Sequence, residues 1–332
     1  MAPYRVVQWS TGNVGRRALR AMIDHDGLDV VGVHAHAPEK VGCDAGTLAG
    51  VAPIGVKATD NVDELIAAAP DCVVYTPGFI DYPLVARLLR SGINAVTTGD
   101  FLTGRHHRDE YAELQAAALN GGATFLGTGF EPGFVNVVAG FLTGACRKVH
   151  SVKLVETLNC AQYPVRDAWA VLGFGKPLTT RLTEVDPESS RYGLGYFESL
   201  DLGFMTLPKG TIAGQRRIYR GLWRGRTIVE LAICWRMSDD GLNPQWTDAK
   251  GFTVEIEGEP RVDAVIRFGP PRDDSLAEDH DVMSLLVVGT AMAAVHAIPH
   301  VCRAQPGVVV PTDLPIIGAR GALVDVADAA PA

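Results

Sequence analysis

No two of the six cysteines form a C-x-x-C pair; Cys43, Cys72, Cys146, Cys160, Cys234 and Cys302 are scattered over 332 residues. A disulfide-stapled scaffold is short and cysteine-dense, so free thiols buried in a reducing cytoplasm are expected instead. Basic charge is not in excess: 30 Lys and Arg against 38 Asp and Glu leave a formal net charge of -8. That argues against a nucleic-acid groove or an anionic-membrane surface. No apolar run reaches the ~20 residues of a membrane helix. The longest, Leu285–Val295, is broken by Gly289 and Thr290 and reads as a buried core helix. Met1 to Trp9 shows no charged stretch followed by an apolar one, so no signal peptide is expected. The 36 glycines and 20 prolines follow no period, which excludes fibrous and repeat architectures. There is no G-x-S-x-G elbow and no Walker loop. The close histidines are His34 and His36, His106 and His107, and His296 and His300; the last pair has i,i+4 spacing, but Pro299 lies between them and no third ligand is near in sequence, so no metal site is expected.

What is present is ordinary for a globular chain: 47% hydrophobic and 20% charged residues. The length suits about two domains. In the first half, short Val-rich runs bounded by Gly, Pro, Asn or Asp read as strands: Arg5–Trp9, Asp29–Ala35, Cys72–Thr76, Asn94–Thr98 and Ala123–Gly127. Helical patterns lie between them at Val14–His25, Val62–Ala69, Tyr82–Ser91 and Arg108–Asn120. In Tyr82–Ser91, for instance, Val85, Leu88 and Leu89 fall on one face and Arg87 and Arg90 on the other. This alternation predicts an α/β fold with a Rossmann-type parallel sheet covered on both faces.

The rhythm changes after Gly133. Phe134–Cys146 reads as a helix and Val152–Leu158 as a strand, and residues 162–209 read as irregular. Ile218–Leu222, Thr227–Met237, Gly251–Glu257 and Arg261–Phe268 follow as strands joined by short turns at Arg224-Gly225 and Gly258-Glu259-Pro260. These predict an α+β domain with a mostly antiparallel sheet. A last helix, about Asp281 to Ile298, is expected to end at Pro299. The expected division is a dinucleotide-binding domain over 1–133, a substrate and dimerisation domain over 134–280, and a C-terminal helix and tail, 281–332, packing back on the first domain.

The chemistry concentrates in Gln8-Trp9-Ser10-Thr11-Gly12-Asn13-Val14-Gly15-Arg16, which joins the first strand to the first helix. Gly12 is expected to allow a sharp turn, and Gly15 a close approach of backbone to pyrophosphate. The helix N-terminus that follows offers N–H groups to the phosphates. In this context the loop, Ser10 to Arg16, predicts a dinucleotide site. An NAD-selective site places an acid about 20 residues past the glycines. Here the second strand ends in His34-Ala35-His36, with Arg16 and Lys40 available to a 2′-phosphate. That favours NADP(H) over NAD(H); the alternative leaves both cations as solvated surface charges. Thr76 and Pro77 after the third strand, and Thr98 after the fourth, fall on the same crevice edge, with His36. Asp100 follows Thr98 and is placed near the nicotinamide, its alternative role being a cap. Glu131, in the turn Gly127 to Phe134, is the second acid there.

Several segments together resemble the dihydrodipicolinate-reductase-like family, in the branch of 2,4-diaminopentanoate dehydrogenase and the native amine dehydrogenases. They are Gln8 to Arg16, Pro38-Glu39-Lys40-Val41-Gly42, Asp44-Ala45-Gly46, Gly127-Thr128-Gly129 with Pro132-Gly133-Phe134, and Ala297-Ile298-Pro299 with Pro306-Gly307 and Asp313-Leu314-Pro315. The resemblance implies a nucleotide-binding domain, a substrate domain with an inserted sheet, and a homodimer. It also implies hydride chemistry at an amine/ketone centre. Amine dehydrogenases usually carry Glu where Asp100 stands and Asn where Glu131 stands. The reductase's His-His pair and Lys-x-Asp-x-Pro-Ser-Gly-Thr-Ala segment do not occur in the second half.

The expected activity is therefore a cytoplasmic NAD(P)H-dependent oxidoreductase acting on a small-molecule amine or ketone. Asp100 and Glu131 are its candidate catalytic acids. Asn159, Tyr163, Arg166 and Trp169 are candidate substrate contacts. Two other classes stay open: a carbonyl or C=C reductase using the same cofactor site, and a non-catalytic nucleotide-binding sensor.

Overall fold

A computed structural model of the chain describes residues 2–99, 101–104, 108–180, 190–246, 251–272 and 282–319. They fall into two compact units, Met1–Val137 with Leu286–Ala332, and Val138–Leu285.

The first unit runs β1 (Tyr4–Trp9), α1 (Asn13–Ile23), β2 (Leu28–His34), a 3-10 turn at Pro38–Lys40, α2 (Ala45–Ala49), β3 (Ala58–Thr59), α3 (Val62–Ala67), β4 (Cys72–Tyr75), α4 (Tyr82–Arg90), β5 (Asn94–Thr97), α5 (Arg108–Gly121) and β6 (Thr124–Gly127). α6 (Val135–Leu142) spans the division between the units. The second unit adds β7 (Lys148–Asn159), α7 (Arg166–Val171), β8 (Ser190–Leu194), β9 (Ser199–Asp201), β10 (Thr206–Pro208), β11 (Ile212–Trp223), β12 (Arg226–Arg236), β13 (Leu242–Asn243), β14 (Gly251–Glu259) and β15 (Val262–Ile266). The chain then returns to the first unit through α8 (Val282–Val301) and β16 (Gly307–Val309).

The first sheet is seven-stranded in the order β16-β6-β5-β4-β1-β2-β3, and all its pairs are parallel. Strand alternation sorts its residues. Val6, Val74, Val96 and Leu126 face α1, α2 and α8, where Ala18, Leu19, Ala291, Val295 and Ile298 are buried. Val7, Val73, Ala95 and Phe125 face the other way, onto Val85, Leu89, Leu114 and Ala118 of α4 and α5. Both faces are covered, as a parallel sheet requires, and the predicted Rossmann-type α/β architecture is the one observed.

The second sheet, β13-β8-β11-β12-β7-β14-β15, is antiparallel except for β12 against β7. Arg224 (φ 50) and Gly225 (φ 75) both take left-handed conformations in the β11–β12 hairpin, the pattern of a type I′ turn.

Three sequence expectations are corrected. The outer strands β3 and β16 were not expected, being two and three residues long. Residues 162–209 are not wholly irregular, since they hold α7 and three strands. Finally, α8 does not stop before Pro299 but continues to Val301. Proline in the last turn removes one ladder bond, to the Val295 carbonyl, and beyond it Cys302 N donates to Ile298 O at 3.0 Å. By length and composition Met283–Val301 could cross a membrane; in the structure Ala291, Ala294, Val295, Ala297, Ile298 and Val301 lie in the core of the first unit. All six cysteines are free thiols; Cys72, Cys160 and Cys234 are buried and the others half-buried.

Candidate active site

The carboxyl ends of β1, β4, β5 and β6 form one edge of the parallel sheet, where ligands of such folds bind. The loop after β1 is built tightly. Ser10 takes a left-handed conformation (φ 76), uncommon for a residue with a Cβ. Gly12 is extended (φ -74, ψ -163) and caps α1 without a side-chain bond. The sharp turn expected at Gly12 is thus made at Ser10. The space at Gly12 is open, with no protein atom within 4 Å of the position a Cβ would take. Gly15 is the reverse. A Cβ there would collide with the Ser10 carbonyl oxygen and lie 2.6 Å from Thr76 Oγ1 and 2.9 Å from Gln8 Nε2. Its close approach is therefore to the protein's own loop.

Beneath the loop, Gln8 is fully buried. Its Nε2 donates to Ser10 O and to Thr76 Oγ1, both at 2.8 Å, while Thr76 Oγ1 donates to Trp9 O at 2.9 Å. From the turn after β2, Lys40 Nζ donates to Thr11 O at 3.0 Å. Arg16 and Asn13 are exposed, Val14 is half-buried, and Arg16 N donates to Gly12 O. Neither a side-chain cap nor an acidic residue occupies the first turn of α1. An open Gly12, an uncapped helix end and two nearby cations suit an anionic pyrophosphate.

His34 closes β2 by stacking on Trp9, with ring centroids 4.1 Å apart and planes 6° from parallel. Burial, reinforced by the charge of His36, holds its pKa below the usual imidazole value; Asp60 acts weakly in the other direction. His36 is exposed and Pro77 half-buried. Thr98 N donates to Tyr75 O at 3.3 Å, joining the ends of β5 and β4. Asp100 lies outside the described residues, as do His106 and His107.

Glu131 sits in the irregular turn that leads to α6. Its Oε1 accepts from Asn136 Nδ2 at 3.4 Å, and Asn136 Oδ1 accepts from Gly133 N at 2.7 Å. The turn thus places one carboxylate and one amide side by side.

In the second unit, Asn159 Oδ1 accepts from Ala161 N at 3.0 Å and fixes the chain as it leaves β7. Arg166 is exposed. Trp169 is buried, its Nε1 donating to Tyr163 O at 2.8 Å, with Tyr163, Phe174 and Trp235 edge-on around it. Trp169 therefore reads as the packing centre that holds Tyr163. Sequence reasoning missed the buried polar set on the sheet behind it. Trp235 Nε1 donates to Glu156 Oε1 at 3.0 Å, and the Arg217 guanidinium lies 4.7 Å from the Trp235 ring centre. Burial raises the Cys160 thiol pKa far above its ordinary value, with Glu156 adding to the effect. No local sequence pattern marks Arg217, which the fold buries.

Strand order and the loop after β1 together define a two-unit chain whose first unit has a Rossmann-type fold. No sequence-family profile matches the chain. An amine dehydrogenase of Streptomyces virginiae is 34% identical over 185 residues, 52% of this chain and 51% of that protein. A 4-hydroxy-tetrahydrodipicolinate reductase of Rhodopseudomonas palustris (strain BisB18) is 26% identical over 221 residues, 64% of this chain and 79% of that one. The matched region thus spans about half the length of the first relative. Among solved structures, amine dehydrogenase from Mycobacterium smegmatis superposes with a TM-score of 0.73 at 22% identity, covering 96% of this chain and 98% of its own. The resemblance first suggested by the sequence segments thus extends to these two relatives and to the whole fold.

Proposed function

We propose that the chain is an NAD(P)-dependent oxidoreductase of amine dehydrogenase type, interconverting a small amine with its ketone and ammonia. The observation that carries this reading is the loop from Ser10 to Gly15, on the carboxyl edge of a parallel sheet, in a chain 34% identical over 185 residues to an amine dehydrogenase. A bound nicotinamide supplies the hydride. The chain's part is to hold the dinucleotide and to place charge where it develops on the substrate nitrogen. Ser10, Thr11, Gly12, Asn13, Val14 and Gly15 offer backbone to the pyrophosphate. NADP(H) is the favoured cofactor, because β2 ends in His34 and not in an acid, and because Lys40 and Arg16 flank the loop.

Asp100 is proposed as the carboxylate beside the reacting nitrogen, where it can hold a proton from ammonia or water. Glu131 is the second acid, oriented by Asn136. Asn159, Tyr163 and Arg166, with Tyr163 held by Trp169, are proposed to contact substrate. The working form is proposed to be a cytoplasmic homodimer built on the second sheet.

The test is NADPH and NADH oxidation with a panel of small ketones, with and without ammonia. Ammonia-dependent turnover is expected. Turnover of ketones that ignores ammonia would make the protein a carbonyl reductase instead, and binding without turnover would make it a sensor.

A further inference from the structure

We propose that Gln8 is a positioning residue for the cofactor: with the Thr76 hydroxyl, it holds the Ser10 turn in the shape that presents the loop ahead of α1 to a dinucleotide. This rests on the reading of that loop as a dinucleotide site.

The argument starts from the burial of Gln8, a polar side chain on the central strand with no solvent exposure. Placing an amide there is costly unless its groups are bonded, and here the bonding falls to the nitrogen, since Oε1 finds no hydrogen-bond partner among the described residues. Its Nε2 hydrogens are both used, on Ser10 O and Thr76 Oγ1 at 2.8 Å, and Nε2 also lies 3.2 Å from Trp9 O. Two of these acceptors are carbonyls of the turn itself. They point inward because Ser10 is left-handed, a backbone state that needs support from its surroundings. Thr76, at the end of β4, completes the ring by donating to Trp9 O. Gly15 closes it from the helix side, where any Cβ would strike Ser10 O, Thr76 Oγ1 and Gln8 Nε2 together. One amide thus joins the end of β1 to that of β4, under the first turn of α1. None of these contacts uses a backbone N–H group of the loop. The clamp therefore acts on the cofactor through the backbone it fixes.

A donor is required at position 8, and this separates the role from simple core filling. Gln8→Met fills similar space with no donor. Gln8→Glu has a donor only while protonated; ionised, it faces the Ser10 and Trp9 carbonyl oxygens and repels them. The dissociation constants of NADPH and NADH are measured by cofactor fluorescence between about pH 5.5 and 8.5, with melting temperature recorded alongside. Gln8→Met is expected to weaken both cofactors about ten-fold at every pH, the scale of a buried group left without its partner. Gln8→Glu should match Gln8→Met at high pH and approach the wild type at low pH. The wild type serves as reference at each pH, because His34 on Trp9 titrates beside the same loop. Thr76→Val should show a similar loss, and Thr76→Ser should recover most of it; this pair decides the matter if Gln8→Glu does not fold. A folded Gln8→Met protein with wild-type affinity would overturn the proposal, as would a Gln8→Glu deficit that does not change with pH. A wild-type chain that binds neither nucleotide would instead remove the dinucleotide reading, and this proposal with it.

Discussion

Lys40 Nζ lies 3.0 Å from the carbonyl oxygen of Thr11, a residue 29 positions earlier in the chain. The turn after β2 is thereby tied to the loop after β1, and an ammonium is held beside the place where the phosphates are proposed to sit. Lys40→Met should weaken NADP(H) about ten-fold and NAD(H) less, since a charge-assisted contact to a 2′-phosphate exists only for the first. Arg16→Ala should act in the same direction. Fluorescence titration with both cofactors checks this; equal losses would mean that Lys40 supports only the loop.

The two glycines of the loop should separate. A Cβ at Gly12 has no protein atom within 4 Å, so Gly12→Val should melt near the wild-type temperature while losing cofactor. Gly15→Val drives a side chain into Ser10, Thr76 and Gln8. It should lose cofactor and also about 1–3 kcal/mol of stability, as overpacked sites do. Thermal melts with and without NADPH distinguish the two.

Asp100→Asn keeps the size of the side chain and removes its charge. It should lower kcat for reductive amination by roughly 10²-fold, the scale of a lost general base, with little change in cofactor affinity. Asp100→Glu should retain part of the activity. An unchanged kcat would move the role to Glu131.

Burial lowers the pKa values of His34 and His296 below that of a free imidazole, with His36 and His25 respectively adding to the effect. The unfolded chain therefore binds protons first as pH falls. Stability should be full above about pH 6.5 and decline as pH drops towards the folded-state values. His34→Gln and His296→Gln should flatten a plot of melting temperature against pH over that window; an unchanged slope would contradict this.

The β11–β12 hairpin exposes Tyr219, Leu222, Trp223 and Val229. These apolar side chains at one end of the second sheet suit a homodimer contact. Light scattering should give twice the chain mass, and Trp223→Lys with Leu222→Lys should shift it towards one chain. A monomeric wild type would refute the contact.

The first sheet was legible because each central strand is a short Val-rich run between turn residues, and because both its faces need apolar side chains. Ala58–Thr59 and Gly307–Val309 were not legible, since two or three residues carry no period. The loop glycines marked the turn after β1 but not its mechanics. Nothing in Ser10 announces a left-handed backbone; that state is imposed by Gln8 and Thr76, which are 68 positions apart. Pro299 misled because its cost depends on where in a helix it falls. The Glu156–Trp235–Arg217 group was invisible for a similar reason: three separate strands contribute to it, and no local spacing links them.

The first unit takes its last core helix and its edge strand from the chain's far end. Thr124 Oγ1 donates to Gln305 O across 181 positions, and Gly307 N donates to Ala123 O. During synthesis the Rossmann-type half therefore leaves the ribosome first but is completed last. Until residues near Val309 emerge, the face of β6 and β4 that α8 covers stays bare, and β6 has no outer neighbour. A nascent chain halted in the second sheet should thus be a target for chaperones at its amino-terminal half, and cofactor binding should appear only after release.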